Sequence, residues 1–401
     1  MKKLMILATA AVAVVGCSKT NVESDVPAFS NEIQLTSSVS ASNDTKAFAK
    51  ETTFGQSSEI SMWSYSLTDF KALSDATDAE TIAKQAALPY LYGATAWTPN
   101  TPEYLKWQDK TSNSGLGDEA LVLVGVHPND ATVVSAPTNN VVTYTIKAVQ
   151  NLPEDIRLSD VMWAAHTGTA QADGVGDVKN LKPGDDNNSG ALVGLGISKA
   201  ATSSYVPLVF HHLTSALDFQ IRATQKTVQS GEAYTALKVK SIKLVGRQVA
   251  TTAKVNLWNG VVTPSVPKLA DITAETVEGS ISWTSTDGVE ITSIPTEPSS
   301  TPTYTDVTTL LTIPGTYTKD IKNVLEFNVT YMYKKNGDEG TEAVPVDKTY
   351  RWPLGEGDFA TFTRNDINQL KVYLKLNSDQ IHITSTIVDW TEKPIDEIQP
   401  R

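Results

Sequence analysis

The sequence predicts an all-β protein, built as two tandem β-sandwich bodies behind an export leader and a tether. Short runs in which apolar and polar residues alternate with a period of two recur along most of the chain, each bounded by Gly, Pro, Asn or Asp. These runs are rich in Thr, Val and Tyr, which suit a pleated, half-buried surface. Only residues 72–87 have helical content, and their periodicity is poor. With 401 residues and about 100–200 residues per domain, two or three domains are expected. The β pattern restarts after a glycine-rich region at 173–196, which favours two bodies meeting near residues 196–206.

Residues 1–16 read as a lipoprotein signal peptide. Lys2 and Lys3 form a basic start, residues 4–15 an unbroken apolar run, and Val14-Val15-Gly16-Cys17 a small-residue cleavage site closed by a cysteine. The run falls short of the roughly 20 residues a spanning helix needs. The site resembles a bacterial lipobox, with Val14 where leucine is usual, so Cys17 is expected to become an acylated N-terminus. The alternative is an ordinary signal peptide that happens to contain a cysteine. Cys17 is the only cysteine, so its acylation leaves no thiol for a disulfide or a metal site. The formal charge of -12, with no dense run of Lys or Arg, argues against nucleic acid as a partner. Membrane contact is expected only through the lipid on Cys17.

Residues 17–50 read as a tether carrying a first strand and a loop. Most of it is Ser-, Asn-, Asp- and Thr-rich, as in a flexible linker. Within it Ile33, Leu35, Ser37 and Val39 alternate with Gln34, Thr36 and Ser38, the pattern of one short strand. The next residues, 41–47, have a loop composition that exposes Lys46.

The first body, residues 51–200, has strand patterns at 59–65, 120–126 and 141–146. Residues 173–190 mix acids, asparagines and glycines but lack the spacing and closing glutamate of an EF-hand, and are expected as a surface loop. The second body, residues 201–401, has strand patterns at 206–213, 217–221, 237–245, 255–258, 324–333, 350–354, 370–376 and 381–390. Residues 282–305 are Ser/Thr/Pro-rich, and Pro295, Pro298 and Pro302 oppose a central strand, so a long surface loop is expected.

No catalytic constellation emerges, and neither a cofactor nor a metal is implied. The chain has five histidines, no Gly-x-Ser-x-Gly elbow and no His-Glu-x-x-His helix. His211 and His212 are neighbours on a strand and point to opposite faces, so they cannot share a metal without distortion. One is expected inside with a hydrogen bond, the other at the surface. Glu356 and Asp358 have the spacing of paired carboxylates but read as a turn. Trp63, Trp258 and Trp352 sit in apolar runs, where core packing is the default.

Several runs resemble the fimbrillin family, subunits of surface fimbriae in Bacteroides-type bacteria. Leu208-Val209-Phe210-His211-His212-Leu213-Thr214-Ser215-Ala216-Leu217 is similar to the family's Phe-x-His signature opening the C-terminal domain. Ser159-Asp160-Val161-Met162-Trp163-Ala164-Ala165 resembles a segment late in its N-terminal domain, and residues 370–376 followed by 381–390 resemble its last two strands and closing tryptophan. The resemblance implies two transthyretin-like sandwiches, lipoprotein export and trypsin-like cleavage in the loop after the first strand, with no enzymatic activity. Lys46-Ala47 is the candidate bond, with Lys50 close by, where the family usually has arginine. Cleavage would displace the strand bearing Ile33, Leu35 and Val39, and a donor strand from another fimbrial subunit would fill the groove. The implied locations are an outer-membrane-anchored precursor and then a cell-surface fimbrium, with a host or bacterial surface receptor as a further partner. The tail at 391–401 has only Ile395 and Ile398 as strong apolar residues, which leaves a stalk subunit and a tip or accessory subunit both open. A cell-surface glycan-binding lipoprotein without polymerisation is the alternative, and it has no reason to be cut at Lys46.

Overall fold

The structure, a computed structural model, describes residues 35–39, 58–66, 88–92, 96–100, 105, 121–137, 141–171, 174–181, 206–225, 233–257, 260–267, 269–273, 276–296, 303–319, 322–334, 343–364, 366–376 and 380–388. The first half of the chain carries β1 (Leu35–Val39), β2 (Glu59–Ser66), β3 (Leu88–Tyr92), β4 (Trp97–Pro99), β5 (Leu121–His127), β6 (Val141–Thr145), α1 (Pro153–Ser159), β7 (Met162–Gln171) and β8 (Gly174–Leu181). From there it continues through β9 (Val206–His212), β10 (Ser215–Thr224), β11 (Ala233–Gly246), β12 (Thr252–Asn256), β13 (Val262–Pro264), β14 (Gly279–Ile291) and β15 (Thr305–Thr312). The last strands are β16 (Gly315–Thr316), β17 (Asn323–Lys334), β18 (Val344–Pro353), β19 (Thr361–Phe362), β20 (Ile367–Lys375) and β21 (Ile381–Val388). The fold is all-β, of the sandwich type, as the alternating runs predict.

In the C-terminal half, sheet β15-β10-β20-β21 faces sheet β14-β11-β17-β18. Alternation does the sorting: on β20 Leu370, Val372 and Leu374 are buried, while Lys371, Tyr373 and Lys375 face away. On β17 the buried set is Leu325, Phe327, Val329 and Tyr331. The two sheets meet through contacts such as Phe219 against Phe327, edge-on with centroids 5.8 Å apart.

The N-terminal half is organised by the row β5-β2-β3-β4-β1-β9-β7-β8, in which β5 also pairs with β7 and folds the row back over its own core. That core contains Leu35, Ile60, Met62, Tyr90, Trp97, Leu123, Leu208 and Phe210. On the far side of the same strands Trp63, Val124, Val126 and Trp163 join a larger apolar cluster that includes Phe219, Ile242, Leu244 and Phe327 of the C-terminal half. A fourth sheet, β13-β12-β6, pairs residues 252–256 with 141–145 and so links the halves.

Two expected loops are strands instead. Residues 282–291 lie in β14, paired with β11, and Ile281 and Trp283 are buried there. Pro295, Pro298 and Pro302 all follow the end of β14, so their opposition to a strand applies only to the second part of the stretch. Residues 174–181 form β8 through backbone pairing with β7, which needs no apolar alternation. Trp63 is buried, Trp352 is half-buried, and Trp258 and residues 72–87 lie outside the described residues. The helix α1 was not expected. Its start is marked by Pro153 in the first turn and by Asp155, whose Oδ2 accepts the Leu152 N–H at 2.9 Å.

Candidate functional site

The candidate site is the seat of β1. Residues 35–39 run parallel to 206–210 of β9, with Leu35 opposite Val206 and Val39 opposite Phe210. On its other side β1 meets β4 through Leu35 and Trp97. Among the described residues most of the main-chain pairing of β1 is with β9. Beyond residue 210, β9 changes partner, and His211 and His212 pair with Trp163 and Met162 of β7.

Leu35 is buried at the centre of this seat. Around it the Trp97 ring tilts against Tyr92, with centroids 5.0 Å apart, and against Phe210 at 6.4 Å. Phe210 crosses β5 closely: a Cβ added at Gly125 would lie 2.9 Å from its Cζ and 2.7 Å from Met62 Sδ. Glycine is the residue that admits the ring there. Tyr90, buried beside them, accepts the Leu105 N–H on its hydroxyl at 3.0 Å. The floor of the seat is thus aromatic and rigid, and Leu35 is the side chain that plugs it.

A buried polar cluster fixes the far end of β9. His212 Nδ1 donates to Asp160 Oδ1 at 2.7 Å, and His127 Nδ1 donates to the Asp160 carbonyl at 3.0 Å. Three strand ends, those of β5, β7 and β9, are joined through one aspartate. Burial lowers the His127 pKa to about 4, against a raising influence from Asp160, so this ring is neutral at ordinary pH. One of the two neighbouring histidines was expected at the surface, but both are buried, His212 fully and His211 at 7% exposure. The reason is tertiary: the outward face of this sheet is covered by the apolar layer it shares with the C-terminal half, so neither face of β9 meets water there.

Of the residues singled out from sequence, Leu35 and Val39 are in β1, whereas Cys17, Ile33, Lys46, Ala47 and Lys50 lie outside the described residues. The structure adds Trp97, Phe210, Gly125, Asp160 and His127 to the site. Phe210 and Asp160 stood in runs quoted for the family resemblance, but nothing local in the sequence pointed to Trp97 or Gly125. Glu356 and Asp358 lie at a short 3-10 turn, Gly357–Phe359, where Glu356 pairs with Lys319. No group of three or more His, Cys, Asp or Glu able to hold a metal occurs among the described residues.

No protein-family model matches the chain, and no curated protein matches it in sequence. Among solved structures, a fimbrial protein from Bacteroides vulgatus is similar over 89% of this chain and 99% of its own, with a TM-score of 0.52 at 12% identity. A protein assigned to cell adhesion from Bacteroides uniformis aligns over 90% of this chain and 98% of its own, with a TM-score of 0.45 at 14% identity. A fimbrilin from Porphyromonas gingivalis aligns over 90% and 97%, with a TM-score of 0.41 at 10% identity. The likeness to the Bacteroides vulgatus protein is one of fold.

Proposed function

From a fold held in common with a fimbrial protein, and from the seat of β1, we propose that the chain is a structural or tip subunit of a cell-surface fimbrium. It is exported as a lipoprotein on Cys17, cut after Lys46, and assembled by insertion of a neighbour's strand. One observation carries this reading: residues 35–39 of β1 pair in a parallel ladder with β9, and Leu35 plugs the aromatic seat. Burying one such side chain stabilises by about 1.5–3 kcal/mol, offset in part by the entropy of ordering the strand. A strand seated this way, once severed from the body, becomes exchangeable. Its departure would bare the main-chain groups of residues 206–210 beside an aromatic groove, the kind of edge that accepts another strand.

The partners under this reading are other fimbrial subunits and, before processing, the membrane through the Cys17 lipid. The chain divides at residue 200 into two sandwich bodies, 51–200 and 201–401, with β9 of the second completing the sheet of the first. We assign no catalysis. The Asp160–His212 pair, the one arrangement among the described residues that invites an acid–base role, is sealed from solvent and ties strand ends together.

Native trypsin treatment followed by size-exclusion chromatography tests the proposal. The wild type should lose its N-terminal segment and then assemble or capture a peptide of donor-strand sequence, while Lys46→Ala should resist cutting at that bond. A cleaved protein that stays monomeric and binds no donor peptide would overturn strand exchange and leave the non-polymerising surface lipoprotein in its place.

A further inference from the structure

The outward face of sheet β15-β10-β20-β21 gathers cations and aromatic rings on a chain whose net charge is -12. On β20 the outward set is Gln369, Lys371, Tyr373 and Lys375. Pairing places Arg222 of β10 opposite Tyr373, Gln220 opposite Lys371, and His382 of β21 on the other side of Tyr373. The Arg222 guanidinium carbon lies 4.1 Å from the centroid of Tyr373 and 5.6 Å from that of Tyr304. Lys375 Nζ is 5.7 Å from Tyr373 and Lys371 Nζ 6.0 Å from Tyr304. Two guanidinium nitrogens of Arg222, Nε and Nη1, are buried with no hydrogen-bond partner among the described residues. Among the described residues, two carboxylates of this face lie toward β15 and are engaged: Asp306 accepts from Gln220 Nε2 at 2.8 Å and Asp218 from Thr309 Oγ1 at 3.0 Å.

At the end of β20 the face runs into an open recess of about 490 Å³ between β18 and β21, walled by Arg351, Trp352, Lys375, Gln380 and His382. Trp352 is half-buried, wedged edge-on against Phe359 at 5.7 Å and tilted against His382 at 6.1 Å, so its ring is held in place. Arg351 is held beside it by Glu326, Nε to Oε2 at 2.8 Å.

We propose that this face and recess bind an acidic polysaccharide. A pyranose ring packs its C–H face on Trp352, and carboxylate or sulfate groups along the polymer meet Lys375 and Lys371, with the Arg222 charge behind them adding to the field. Guanidinium and ammonium donors are strongest toward such anions, and an amphipathic ring with one apolar face and a few convergent polar groups is the usual composition of a small-ligand site. Residues two apart on one strand face lie about 7 Å apart, so Lys371, Tyr373 and Lys375 form an extended alternating row suited to a linear polymer. Nucleic acid is disfavoured by the chain's overall negative charge and by the small number of cations in the row. The site is remote in sequence from the seat of β1 and requires no cleavage.

The test is affinity electrophoresis of the full, uncut chain at physiological salt, in gels containing polygalacturonate, heparin or neutral dextran. Retardation by polygalacturonate, heparin or both is expected, the two polymers separating carboxylate from sulfate recognition, with none by dextran. Lys371→Gln with Lys375→Gln, and separately Trp352→Ala, should each weaken binding about tenfold, the equivalent of about 1.4 kcal/mol. Lys254→Gln, an exposed lysine on β12, should change nothing. Because Trp352→Ala removes a ring that packs on Phe359, near-ultraviolet circular dichroism of each variant identifies any that is misfolded, and the lysine pair then decides. Absence of retardation by both acidic polymers overturns the proposal, as does an equal effect of Lys254→Gln. Equal retardation by single-stranded oligonucleotide overturns the ligand class. Strand exchange stands or falls separately, since nothing in this experiment is cut.

Discussion

His127 shows how one buried side chain sets a condition on the whole fold. Its ring is buried against the Asp160 carbonyl, and burial lowers its pKa from 6.5 to about 4. Above pH 6.5 the ring is neutral folded and unfolded, and contributes no pH dependence. Between pH 6.5 and 4 the unfolded chain takes up a proton that the folded chain refuses, so stability falls as pH falls. Below pH 4 both states are protonated and the loss levels off at about 3 kcal/mol. His127→Gln should therefore flatten the decline of the urea midpoint between pH 7 and 4. If the variant declines as steeply as the wild type, His127 is not the group responsible.

At the scale of one element, β1 is seated on β9. Residues 206–210 of β9 pair with β1, and among the described residues His211 and His212 pair with β7. Leu35→Asp should place a carboxylate in the aromatic seat. The cost of burying it there is limited by the alternative open to the protein, which is to release β1 and keep the rest folded. The expected result is an intact fold in which the β9 amides among residues 206 and 208–210 that face β1 exchange with solvent at least tenfold faster, while those of β20 keep their protection, as read by hydrogen–deuterium exchange. Loss of protection in β20 as well would mean that β1 is not separable. By contrast β14, read from its prolines as loop, is locked along most of its length against β11, with Ile281 and Trp283 in the core.

At the scale of the molecule the two halves are interlocked. One apolar cluster contains Trp63, Tyr144 and Trp163 together with Phe219, Phe327 and Tyr350. Gln150, fully buried between the halves, donates from Nε2 to the Leu311 carbonyl at 2.8 Å and accepts the Leu311 N–H on Oε1 at 2.8 Å. Trp163 Nε1 donates to the Leu257 carbonyl at 3.2 Å, and Tyr144 Oη to that of Leu213 at 3.2 Å. Such an interface is a core divided between two bodies, so calorimetry should record one cooperative unfolding transition. Gln150→Ala would leave the N–H and carbonyl of Leu311 buried without this partner, at about 1–3 kcal/mol for each group, and should lower that single transition. Two transitions, only one of them moved by Gln150→Ala, would show that the halves unfold independently.

The sequence by itself determined the all-β class and most strands, because alternation is a local property: β2, β5, β6, β17 and β20 stand where the period of two placed them. It also marked the short strand containing Leu35 and the burial of Trp63. It was blind to partnership. The parallel ladder of β1 with β9, the joining of β6 to β12, and the packing of Trp97 with Phe210 bring together residues far apart in the chain, and no local pattern encodes them. Strand β8 shows the same limit from the other side, since backbone pairing with β7 orders a glycine- and aspartate-rich stretch that side-chain pattern reads as loop. The expectation that one of His211 and His212 reaches the surface failed because tertiary packing sets whether the second face of a strand meets water or another sheet. The cationic row on β10 and β20 is likewise a product of assembly: Arg222 and Tyr373 come from two strands and Tyr304 from the residue before β15, and sheet pairing makes them one surface.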